Sequence, residues 1–292
     1  MSIATRIASN IVARENLDFE LNESIPRHWY RGDPFKTRIL DGLQVGFPDG
    51  ERYFISSIRS VRERIQDSKL LIEVKDFMRQ EGQHGIVHTK YNQMLEKQGA
   101  PIQEIIEDMN RRIARYNRVF SIEFNVALTA ALEHFTALLA EAFFARKRDS
   151  EGSDPRIRAI FAWHAIEEME HKAVAFDVMT SVTSIGYFRR VGAMIYASGA
   201  LQYSMSKYVN MMLKADGYSW WQRKILKLKN LAWLYGRNGL MARLAPKILM
   251  YMLPGFHPNK IPDLHNYPAW VEEYERSGDP GRAACALYAA AK

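Results

Sequence analysis

Two short stretches, EGQHGIVH at residues 81–88 and WHAIEEMEH at residues 163–171, each set a glutamate three positions ahead of a histidine: Glu81 with His84, and Glu168 with His171. On a helix this spacing places a carboxylate oxygen and an imidazole nitrogen on one face, where both can reach a single metal ion. At about 100° per residue, His164, Glu168 and His171 share one arc with Phe161, Ala175 and Val178, while Glu167 and Glu170 fall progressively off it, toward solvent or a supporting role. Glu81, His84 and His88 likewise lie on the side of Val74, Phe77 and Leu95. Ionisable groups on an apolar stripe are costly to bury without partners. Metal ligation removes that cost, and di-metal carboxylate bundles pair each such helix with another that gives a single Glu.

The pairing can be tested by register, because residues equidistant from the turn of an antiparallel hairpin sit at one height. Glu51 and Glu81 have their midpoint at residue 66, inside the short connection QDS, and Glu133 and Glu168 have theirs between 150 and 151, inside DSEGSDP. The expected ligands are therefore Glu51, Glu81, His84, Glu133, Glu168 and His171, with His164 as a seventh and Glu81 and Glu168 as the bridging carboxylates. His88, Thr129 and Glu141 are expected beside them as supporting groups, Glu141 also being the second choice for the place of Glu133. Four carboxylates and two neutral imidazoles carry about −4 of charge, which balances two divalent ions, and the mixed nitrogen and oxygen donors suit iron or manganese. Small residues along the face of Glu133 (Thr129, Ala130, Ala137, Ala140) fit either a cavity beside the metals or close helix packing.

The elements that position these residues are helical. Between 48 and 184 apolar residues recur at helical spacing and nothing alternates with a period of two. Helix one follows Pro48 and runs through FPDGERYFISSIRSVRERI; helix two spans Lys69 to Gln98, ended by Gly99 and Pro101; IQEIIEDMNRRIARYN links to helix three, from about Arg118 to Arg148; helix four begins near Pro155. Two hairpins joined by a longer crossover make a four-helix bundle. The expected division is an N-terminal arm at 1–47, the bundle at 48–185, and a basic helical extension at 186–292 packed on it.

The chain has 292 residues, 47% of them hydrophobic and 25% charged, a composition that excludes a disordered chain. The single cysteine, Cys285, excludes thiolate-based zinc and iron–sulfur sites and points to a reducing, cytoplasmic compartment. The N-terminus lacks the apolar run of a secretory signal. The net charge of +7 is uneven: residues 187–260 hold twelve Lys and Arg against one acid, Asp216. Interrupting charges make a membrane-spanning helix there unlikely in composition, whereas basic residues mixed with Trp, Leu and Met fit an amphipathic helix in peripheral contact with an anionic membrane. The plainer alternative is that these helices cover the bundle with their lysines in water. No nucleic-acid-binding module accompanies the charge. His257 and His265, without a paired spacing, are expected to be structural.

FPDGERYF, EGQHGIVHTKYN, ALTAALEH, WHAIEEMEHKAVAFDV and LPGFHP together resemble the bacterial ferritin-like proteins catalogued as predicted metal-dependent hydrolases, over about Phe47 to Trp270. The resemblance implies an all-α, ferritin-like four-helix bundle with a long crossover plus additional C-terminal helices. A more distant similarity, to di-iron arylamine N-oxygenases, concerns only the histidine four residues before the last Glu-x-x-His glutamate, the place of His164; no arylamine substrate follows from it. Two iron ions, or a manganese or mixed pair, would make the protein an O2-activating oxidase or oxygenase of a small or lipid-like organic substrate. The alternative is a hydrolase using a metal-bridged water, with zinc the apt metal; iron storage is a third reading, for which the C-terminal extension is superfluous. The oxidative reading admits an electron donor and a homodimer as partners.

Overall fold

The protein is described by a computed structural model covering residues 11–292; residues 1–10, the start of the expected arm, lie outside the described residues. Side-chain caps start several of the helices. Asp33 accepts from the Lys36 N–H at the head of α1 (Pro34–Val45), which precedes α2 (Phe47–Arg59). Asp67 caps α3 (Ser68–Lys97), and after α4 (Ile102–Val119) Ser121 caps α5 (Ile122–Phe144). The short α6 (Lys147–Ser150) leads to α7 (Pro155–His171), where Asp154 accepts from Arg156 N–H and Pro155 occupies the first turn, which needs no N–H donor. Then come α8 (Val174–Val182), α9 (Tyr187–Ala215), α10 (Trp220–Lys229), α11 (Leu231–Tyr235), α12 (Leu240–Tyr251), α13 (Tyr267–Ser277) and α14 (Pro280–Ala289). No strand occurs among the described residues.

The bundle is the expected one: α2 packs along α3, and α5 along α7 and α8, with α3 against α7 and α8 and α2 against α5 closing the square. The C-terminal helices lie on it, α9 against α1 and α5, α12 against α5, and α14 against α7. Among the described residues only α5 is long and apolar enough to cross a membrane, and 72% of its most apolar window is buried in this core.

Four boundaries differ from expectation. The arm contains α1, which packs on α3 and α9. Helix one stops at Arg59 and continues as a 3-10 turn at Arg62–Arg64. Helix three starts at Ile122, because Phe120 and Ser121 adopt extended backbone and Ser121 provides the cap. Helix four breaks after His171, where the Lys172 ammonium reaches the Ile261 carbonyl at 2.8 Å and the Asp263 carboxylate.

Beneath α1 lies a buried polar knot. Asp41 accepts from Arg38 (2.7 Å), the Tyr91 hydroxyl (2.6 Å) and the Trp29 indole (2.8 Å), while Arg38 also holds Asp216 at the end of α9. Arg38 and Asp41 are fully buried, so removing Asp41 leaves one Arg38 nitrogen, the Tyr91 hydroxyl and the Trp29 indole buried without their acceptor, although Asp216 still pairs Arg38. Asp41→Ala should lower the unfolding free energy by about 3–5 kcal/mol, read as a shift in the urea midpoint; a variant within experimental scatter of the parent would show that the knot holds nothing together.

Candidate metal centre

The bundle brings all seven expected ligands to one point. Glu51 comes from α2, Glu81 and His84 from α3, Glu133 from α5, and His164, Glu168 and His171 from α7, each at 5% exposure or less. Their donor atoms form overlapping groups, each within 4.8 Å: Glu81, Glu133, Glu168 and His171 in one, Glu51, Glu81 and His84 in another, His84, His164 and Glu168 in a third, and Glu51 and His164 with His88 in a fourth. His171 Nε2 stands 3.1 Å from Glu81, 3.3 Å from Glu133 and 3.6 Å from Glu168. His84 Nδ1 lies 3.9 Å from both Glu51 and Glu81. Glu51, Glu81 and Glu168 each belong to two groups, so membership admits the expected bridging pair, Glu81 and Glu168, without singling it out.

Eight of the donor atoms are left without hydrogen bonds. Both oxygens of Glu51, Glu81 and Glu133, with His84 Nδ1 and His171 Nε2, are buried and make none. Buried polar atoms are ordinarily satisfied, so a set of eight converging on one space fits two divalent cations. The electrostatics agree. Burial, with Glu81 and Glu168 nearby, pushes the Glu51 and Glu133 carboxyls well above the usual range. Burial opposes charge on His171 too, yet Glu168, Glu133 and Glu81 raise it well above an ordinary histidine. A proton is thus drawn to where a cation belongs. His84, lowered to about 3 by burial and by His164, is neutral and ready to ligate.

Behind the ligands, a layer of polar groups aims the histidines. His84 Nε2 is 3.1 Å from Glu167 Oε2, whose other oxygen accepts from the Trp163 indole (2.9 Å) and the backbone and guanidinium of Arg14 (3.0 and 3.3 Å). Burial pushes Glu167 up to about 7, against the pull of Arg14. His171 Nδ1 contacts Gln80 Oε1 at 2.8 Å; Gln80 Nε2 donates to Glu170, which also receives Arg14 and the Tyr267 hydroxyl. Such contacts fix which ring nitrogen keeps its proton and free the other for metal. Glu167 and Glu170 are therefore supporting groups, not solvent ones. The sequence signal that was missed is Arg14, far from the motif and outside the expected bundle.

The remaining candidates separate. His164 Nε2 lies 2.8 Å from Glu168 Oε1, its ring stacked on His84 at 4.3 Å, and its Nδ1 meets His88 Nε2 at 2.6 Å. His88 thus contacts His164, the place expected of a supporting group, and it also shares a metal-sized group of donors with Glu51 and His164. Thr129 does not belong to the site: its hydroxyl pairs with Ser57 at 2.7 Å, and Thr136 instead binds Glu168. The wheel placed Thr129 one turn before Glu133, but α5 turns Thr136 toward α7. Glu141 is also excluded, since it pairs with Lys247 on the flank facing α12. His134 is buried against Tyr251 and Phe256, and His257 pairs with Asp177.

On the Glu168 edge two small cavities, of about 70 and 110 Å³, share Leu43, Phe47, Thr136, Leu139 and Glu168 in their walls. Of the four small residues on the face of Glu133, which fitted a cavity or close packing equally, only Ala140 lines a cavity, and Thr129, Ala130 and Ala137 are packed in the core. Outward, Arg112, Tyr116 and Ala200 line both the larger cavity and a surface groove between α4 and α9.

Residues 13–261 match a family model described as predicted metal-dependent hydrolase. No curated protein and no solved structure matches the chain.

Glu133→Ala or His171→Ala should each prevent binding of the second metal ion, measured as metal per chain after reconstitution, whereas Glu141→Ala and Thr129→Val should load as the parent does. Equal loading of all four would refute the ligand assignment. Glu167→Gln offers an amide where both neighbours need an acceptor, so it must either turn its NH2 on His84 or on Arg14 and Trp163. It should keep the fold and weaken metal binding by about tenfold to a hundredfold in a competitive chelator titration; undiminished affinity would remove Glu167 from this role.

Proposed function

We propose that this chain, which belongs to the family of predicted metal-dependent hydrolases, is a carboxylate-bridged di-metal enzyme that uses two iron ions and dioxygen to oxidise a small apolar or lipid-like substrate. The observation that carries the oxidative reading is the wall of the cavity beside Glu168. Leu40, Leu43, Phe47, Leu139 and Phe143 line the smaller cavity, with Gln44, Thr136, His164 and Glu168 as its polar groups, and the larger one adds Arg112, Tyr53, Tyr116 and Tyr208 toward its far side. Hydrolysis develops charge on a carbonyl or phosphoryl oxygen and calls for donors aimed at that oxygen; an apolar wall suits dioxygen and a hydrocarbon.

Two ferrous ions held by these carboxylates and imidazoles would supply electrons to dioxygen, as a manganese or mixed pair could in the same donor set. The chain's own work is then distinct. Glu81 and Glu168 hold the two positions together, Glu167 and Gln80 keep the His84 and His171 rings in their ligating orientation, and Phe47 and Leu139 exclude water from the cavity. His164, packed between His84 and Glu168, adds a nitrogen on the open edge. An external electron donor completes the cycle.

A second reading, hydrolysis, is favoured by the description of the family. There the same residues would hold a redox-inert pair such as zinc, which supplies Lewis acidity to a water.

One experiment separates them. Anaerobic apoprotein loaded with ferrous iron should take up two ions per chain and consume dioxygen on mixing, faster with an apolar substrate such as an alkane or fatty acyl ester than without. Leu139→Trp, which fills the cavity, should retain both irons and lose that stimulation. Steady ester hydrolysis by the zinc form, with no oxygen uptake by the iron form, would sink the oxidative reading and establish the hydrolytic one.

A further inference from the structure

The segment richest in positive charge is also where the apolar surface is exposed. Of nineteen large hydrophobic residues exposed among the described residues, fourteen lie between Tyr187 and Leu253. They are not scattered. Helix α10, WWQRKILKLK, contains no buried residue. Its Leu226 side packs toward Phe35, Ile39 and Leu213, while Trp221, Ile225 and Leu228 share an arc of about 60° on the side turned away, at 70%, 49% and 65% exposure. An amphipathic helix that covers a core does the reverse, turning its widest apolar stripe inward. Lys224, Lys227 and Lys229 flank this stripe, with Lys224 stacked over Trp220 at 5.3 Å.

The surface continues onto α9, whose Phe188, Ile195 and Tyr203 recur at helical spacing and are 85%, 58% and 61% exposed. Tyr203 lines both the groove between α9 and α10 and the groove that holds Arg111 and Arg115, whose wall shares Arg112, Tyr116 and Ala200 with the larger cavity on the metal side. The cationic, apolar face and that groove are therefore neighbours.

We propose that the outward stripe of α10, with the exposed ridge of α9, docks on the surface of an anionic lipid bilayer. Trp and Leu would enter the boundary between headgroups and acyl chains while the lysines meet lipid phosphates, the arrangement of interfacial helices. Each cation brought to such a surface strengthens binding by about fivefold at low salt. Charge complementarity selects the lipid over a second copy of this chain, because apposing two such faces would set Lys224, Lys227 and Lys229 against their own duplicates. The inference is independent of the metal chemistry and can be tested with or without metal.

Flotation of the full chain with vesicles decides it. The protein should float with phosphatidylcholine vesicles containing phosphatidylglycerol at low salt, remain unbound with phosphatidylcholine alone, and show a blue shift of tryptophan emission on binding. Trp221→Glu with Leu228→Glu should reduce the affinity by at least about tenfold, with the circular dichroism spectrum unchanged because both side chains stand in water. Ile72→Glu, at an equally exposed site on α3, should bind as the parent does. Failure of the parent to float, or equal binding by the α10 variant, would overturn the proposal. So would a dimer in sedimentation velocity that the α10 variant abolishes, since the face would then belong to a second copy.

Discussion

Gathering the carboxylates of Glu51, Glu81, Glu133 and Glu168 around one point inside a helical bundle sets the terms for the rest of the structure. An ionised carboxylate taken from water without a partner costs several kcal/mol, and here four are buried with six of their eight oxygens accepting no hydrogen bond. Their pull raises His171 well above an ordinary histidine, against the cost of its burial. Two divalent ions would neutralise the group, satisfy the orphaned atoms and cross-link α2, α3, α5 and α7 at mid-height. Register between those helices, and hence the length of both hairpin connections, follows from the need for these six ligands to arrive together.

A second constraint is orientation, and one residue serves both histidines. Arg14 binds Glu167, which meets His84, and it binds Glu170, which holds Gln80 against His171. The guanidinium itself is buried against Trp270 and Tyr274 of α13. A segment before the bundle and a helix after it thus meet behind the metal ligands. This explains why both flanking regions are packed against the bundle and why the site is not contained in four helices alone.

That division marks what the sequence disclosed. Glu-x-x-His spacing and hairpin arithmetic picked six residues that the fold does bring together, because helix geometry and short turns are local and leave little freedom. The same arithmetic placed His164 and His88 on the correct face. It failed where position depends on contacts distant in sequence. Thr129 and Thr136 are both one turn from Glu133, and only the rotation of α5 against α7 selects Thr136. Glu141 looked inward from its wheel position until α12, brought back from far along the chain, supplied Lys247. The break after His171 likewise has its partner, the loop at Ile261 to Asp263, some ninety residues away. Arg14 carries no local pattern at all.

The centre that results has two unlike sides. Toward Arg14 it is sealed: the ring nitrogens of His84 and His171 that face away from the ligands end in buried carboxylate and amide groups, with Trp163 and Tyr267 filling the gaps. Toward Phe47 and Leu139 it is bounded by hydrocarbon and by two cavities, the larger of which shares Arg112 with the groove between α4 and α9. Hydrogen bonds on the sealed side hold the ligands still, so that changes in coordination would fall on the side of Glu168, Thr136 and His164. On the proposed function, a reactant would meet this apolar wall beside the metals, which favours molecules that shed their hydration cheaply. Tyr196 and Tyr203 of α9 stand exposed beside the groove that shares Arg112 with the larger cavity. The proposed lipid contact and the proposed apolar substrate would then meet on one side of the bundle.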